Sequence, residues 1–102
     1  MIKLVALYKK PADVAAFEEH YSNVHLSLME QVPGIVKTEL TRFFAGPLGE
    51  PPYYMAFEAY FADRDSLNAA LASPENRAAG KDLMSFAKDI VTVMFADVYE
   101  SQ

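Results

Sequence analysis

The chain has 102 residues, 52% of them hydrophobic, with nine Lys and Arg against fourteen Asp and Glu for a formal charge of -5. This length predicts one domain spanning 1-102 with a single core, and the apolar fraction excludes a disordered tail. No basic stripe is present to displace counterions from nucleic acid, and the absence of cysteine excludes disulfides, thiolate metal sites and cysteine nucleophiles.

Ile2 to Tyr8 is predicted as the first strand, with Ile2, Leu4, Ala6 and Tyr8 on one face and Lys3, Val5 and Leu7 on the other. Lys9-Lys10-Pro11 stops it, because proline cannot donate a ladder hydrogen bond. Asp13 is the expected N-cap of a long helix. In it Val14, Phe17, Tyr21, Val24, His25, Leu28 and Val32 recur at three- and four-residue steps and form one apolar stripe. Pro33-Gly34 ends the helix.

Ile35 to Phe44 reads as a second strand, and the breaker-rich run from Ala45 to Pro52 as a loop. Tyr53 to Phe61 is the third strand. Asp63 to Leu71 reads as a short helix, and Ser73-Pro74 opens another that turns Leu83, Phe86 and Ala87 inward. Ile90 to Tyr99 closes the chain as a fourth strand. The order is β-α-β-β-α-β, a ferredoxin-like α+β fold with a four-stranded antiparallel sheet and helices on one face.

Strands three and four carry apolar or aromatic residues on both faces, so a lone subunit is expected to leave a greasy sheet face in water. Two-fold pairing through the sheet faces would cover it, as a dimeric barrel with the helices outside. Side chains from the long loop are the alternative cover. No segment approaches the ~18 uninterrupted apolar residues of a bilayer span, and no secretory leader precedes the first strand, so the expected location is cytoplasmic.

His20 and His25 are the two histidines, and on an ideal helix they point ~140° apart. That spacing does not form a two-histidine metal site, so no metal is expected. His20 is predicted to face solvent. His25 lies within the stripe beside Tyr21, where a neutral imidazole can act as general acid or base and Tyr21 can share a hydrogen bond or orient a substrate oxygen in the pocket. The alternative for His25 is a buried, hydrogen-bonded space filler. Glu18 is expected either at a pocket rim or simply solvated. The expected pocket lies between sheet and long helix, with Phe17, Met29, Phe57 and Phe95 as ligand contacts for an aromatic or terpenoid-sized molecule. Phosphate loops, serine elbows and dinucleotide fingerprints are lacking, so no cofactor is expected.

The run Phe17-x-x-x-Tyr21-x-x-x-His25-x-x-Leu28 precedes Val32-Pro33-Gly34-Ile35. With Ala72-Ser73-Pro74-Glu75 and the later Ala79, Asp82 and Phe86, it resembles the EthD family, named for ethyl tert-butyl ether degradation. The resemblance implies the dimeric α+β barrel superfamily. It also implies acid–base work on small, apolar, oxygenated molecules, with His25 and Tyr21 as the matching residues. The family pattern often has a histidine and a proline where this chain has Val24 and Ser27. The expected activity is a cofactor-free isomerase, dehydratase, lyase or monooxygenase-like step. The alternative is a non-catalytic carrier or accessory protein for an oxygenase pathway.

Overall fold

A computed structural model describes residues 1–100 of the chain. Strand β1 (Ile2–Tyr8) leads into helix α1 (Val14–His20), a π-helical turn (Tyr21–His25) and helix α2 (Leu26–Glu30). Strands β2 (Lys37–Arg42) and β3 (Met55–Phe61), helices α3 (Arg64–Leu71) and α4 (Pro74–Ala87), and strand β4 (Val91–Asp97) follow. The strands form one antiparallel sheet in the order β2-β3-β1-β4, the ferredoxin-like arrangement that the element order predicts.

Register explains which sheet face is buried. Leu4 stands opposite Ala59, Ala6 opposite Phe57 and Tyr8 opposite Met55, and all six are buried. Paired residues share a face, and this one meets Phe17, Tyr21, Met29, Val32, Leu67 and Ala79 of the helices in a single core. After α2, Gly34 takes a φ of 85°, the left-handed conformation that glycine adopts without steric penalty.

The opposite face is less apolar than the strand composition suggests. Lys3, Tyr60 and Lys37 fall in one cross-strand row, and Glu58 and Glu39 in another. Lys3 Nζ pairs with Glu58 Oε1 at 3.1 Å, the Tyr60 hydroxyl donates to Glu39 Oε1 at 2.6 Å, and Lys37 Nζ stands 4.5 Å from the Tyr60 ring centroid. Half of that face is therefore a polar network, and the apolar remainder is Val5, Leu7, Ala56, Met94 and Ala96 around β1 and β4.

The helix starts follow the capping residues. The side chains of Asp13, Asp63 and Ser73 accept from the backbone N–H of Ala16, Ser66 and Asn76. Ser73 does more, since its hydroxyl also donates to Ala70 O at 2.6 Å and so ties the end of α3 to the start of α4. Ser73→Ala removes both bonds at a buried position. It is expected to lower stability by about 1–2 kcal/mol, read as a shift in the urea midpoint at constant slope. Among the described residues, no helix is long and apolar enough to cross a membrane.

Candidate functional site: a histidine-lined cavity under the helices

The site begins with a change in helical winding. Phe17, Tyr21, His25 and Met29 are all buried. Three successive four-residue steps on an α-helix would carry that row about 120° around the axis and off the sheet. The π-helical turn takes up the drift: Leu26 N–H donates to Tyr21 O, five residues back instead of four. Val24, expected on the stripe, is displaced outward and is 41% exposed, while Met29 takes the inward place.

The same wide turn overturns the expectation that His20 and His25 diverge. Both rings reach one carboxylate on α4: Asp82 Oδ1 lies 2.8 Å from His20 Nε2, and Asp82 Oδ2 lies 3.0 Å from His25 Nδ1. His20 is thus a half-buried partner of Asp82 rather than a solvent-facing side chain. Phe86, one turn beyond Asp82, packs on both rings, with centroids 4.4 Å from His20 and 5.3 Å from His25. Each histidine holds a different oxygen of the carboxylate. Among the described residues there is no cluster suited to a metal ion.

His25 lines an apolar cavity of about 140 Å³ between the sheet, the π-helical turn and α4. The cavity gathers three other residues expected in the pocket, Met29, Phe57 and Phe95. Phe95 is 54% exposed, so the β4 side of the cavity is its open side. Phe17 and Tyr21 are placed differently from the expectation. They stand outside the lining, with Tyr21 packed against His25 at 5.5 Å and Phe17 stacked on Tyr21 at 5.8 Å. Tyr8 and Asn76 are lining residues that sequence reasoning missed. The inward alternation of β1 could have pointed to Tyr8. No local signal marks Asn76, whose place depends on how α4 docks.

Burial dominates the electrostatics. It lowers the His25 pKa below the ordinary imidazole value, against the opposing hydrogen bond and charge of Asp82. Burial also pushes the Tyr8 and Tyr21 phenols well up; the two hydroxyls influence each other, and among the described residues neither makes a hydrogen bond of good geometry. Glu18 lies away from the cavity. It accepts from Arg42 Nε at 3.0 Å and Nη2 at 2.6 Å and from the Tyr54 hydroxyl, which clasps α1 to β2 and to the residue just before β3. Arg42 in turn holds its carboxyl below the ordinary value.

The His25 shift carries a pH signature. Its folded pKa is depressed, so as pH falls below about 6.5 the unfolded chain takes up a proton that the folded one refuses. Stability from this group is complete above that pH and is lost as pH falls toward the folded pKa. Thermal melts between pH 7.5 and 5 should therefore show a steeper loss for the native protein than for His25→Gln. Parallel curves would contradict the assignment.

The topology and the cavity together define a ferredoxin-like α+β domain with a small-molecule-sized pocket under its helices. The chain belongs to the EthD family: the EthD domain model matches residues 9–89. An EthD-family protein from Bacillus halodurans C-125 is 40% identical, with a TM-score of 0.94 over 97% of this chain and 99% of that one. An uncharacterised 11.0 kDa protein from the thcB-thcC intergenic region of Rhodococcus erythropolis is 38% identical, covering 95% of this chain and 94% of its own. At 17% identity, SnoaB, a cofactor-independent oxygenase from Streptomyces nogalater, shares the fold with a TM-score of 0.71 over 98% of this chain and 94% of its own.

Proposed function

We propose that the protein acts on a compact, mostly apolar, oxygenated molecule by acid–base chemistry without a cofactor, in small-molecule degradation of the kind the family name describes. The observation that carries this reading is His25, an imidazole kept neutral by burial at the wall of an apolar cavity. In an isomerisation, dehydration or lyase step, His25 takes or gives the proton. Tyr21 packs against its ring and holds its orientation. The description of SnoaB as cofactor-independent supports such chemistry on this fold.

The alternative, a non-catalytic carrier for an oxygenase pathway, draws on one observation. The lining holds only His25 and Tyr8 as titratable groups, and the Tyr8 phenol is pushed well up. Native mass spectrometry of protein taken directly from cells should reveal a retained ligand. Incubating that ligand with fresh protein separates the readings: conversion supports the enzyme, and binding without conversion supports the carrier.

We also propose that the functional unit is a homodimer closed through the sheet faces. Val5, Leu7 and Met94 give that face an apolar half. Phe44 and Leu48, in the loop after β2, are 97% and 101% exposed and supply further apolar surface for a partner. Light scattering at micromolar concentration is expected to read twice the 11.4 kDa subunit mass, and a single subunit mass would remove the dimer.

A further inference from the structure

Asp82 determines which way His25 can hydrogen-bond. An ionised carboxylate only accepts, so the ring nitrogens that face it carry protons. His25 Nδ1–H donates to Oδ2 at 3.0 Å and His20 Nε2–H donates to Oδ1 at 2.8 Å. A neutral imidazole has one donor and one acceptor nitrogen, so Nε2 of His25 is left as the acceptor. With its second oxygen held by His20, the carboxylate cannot swing away, and Phe86 packs on both rings.

The cavity sets the size of what meets that nitrogen. The volume of about 140 Å³ next to His25 suits one six-membered ring, since an apolar cavity of roughly 150 Å³ takes up benzene, and the β4 side stays open past Phe95. We infer that the cavity selects a molecule that presents a largely apolar ring with a hydroxyl donor to His25, and that Asp82 and His20 are positioning residues that impose this choice by holding His25 as an acceptor. The inference rests on the reading of His25 as the group that meets the ligand. It calls for a phenol-like ring beside His25, with the rest of any larger ligand leaving by the open β4 side.

Phenol and toluene are the probes, because they match in size and differ in the donor. A merely greasy pocket favours toluene by roughly tenfold, because a buried hydroxyl without a partner is penalised. The full chain, with ¹⁵N-labelled histidine, is titrated with each probe at pH 7.5 and followed by NMR. The expected results are a neutral His25 protonated at Nδ1 and several-fold tighter binding of phenol than of toluene. In Asp82→Asn that preference should weaken, because the amide offers one ring an acceptor and the other an N–H donor, so His25 is no longer fixed as the acceptor.

A native His25 protonated at Nε2, toluene bound as tightly as phenol, or no saturable phenol binding each overturns the inference. If that variant does not fold, the native tautomer and the phenol-to-toluene ratio still decide. Turnover retained in a His25 variant would sink the acid–base reading and leave the donor selection standing. Equal binding of the two probes would do the reverse.

Discussion

Phe17→Ala is expected to lower stability by about 3–5 kcal/mol, a large part of the 5–15 kcal/mol that holds a domain of this kind together. Phe17 is 5% exposed and sits at the centre of an aromatic group. It stacks on Tyr21 at 5.8 Å, meets Tyr8 edge-on at 5.5 Å, and contacts Phe86 at 5.5 Å and Tyr54 at 6.2 Å. Truncation removes the burial of a full ring and leaves a cavity whose walls belong to β1, the π-helical turn, α4 and the segment entering β3, which cannot all close in. Val24→Ala, on the same predicted stripe but displaced outward, should change stability by less than ~0.5 kcal/mol. Urea unfolding of the two variants checks the contrast. Equal losses would show that the turn does not wind as described.

His25→Ala is expected to reduce turnover of a ligand recovered from cells by about 10²–10⁴-fold, the usual contribution of a positioned acid or base. Binding should fall far less, because Met29, Phe57 and Phe95 still bury the apolar body of the ligand. The variant should remain folded, since Asp82 keeps its bond to His20 and is not stranded as an unpaired charge. Steady-state kinetics checks this through the split between kcat and KM. A drop in kcat with a nearly constant KM supports the role, whereas full activity removes it.

The depth to which the site was legible differs from residue to residue. Met29, Phe57 and Phe95 are expected in the pocket and line it; Phe57 and Phe95 follow from strand alternation, whereas Met29 is brought inward by the wide turn. Tyr21 and Phe17 share the helical row with His25 and stand one layer further in. That row of four-residue steps was itself a sign of the wide turn, because an ideal helix cannot keep it facing the sheet. Asp82 was visible in the family pattern beside Phe86, but it lies 57 residues from His25 and no local spacing marks the two as partners.

Local chemistry determined the strands, the capping aspartates and serine, the Pro33-Gly34 stop and the α+β order, because each depends on residues within a few positions of one another. Tertiary structure alone decided three things: the polar network on the outer sheet face, the π-helical turn, and the sharing of one carboxylate by two histidines. Each is set by strand register or helix docking, which bring together side chains from distant parts of the chain. Their energies depend on that placement, and a pattern read along one segment does not contain it.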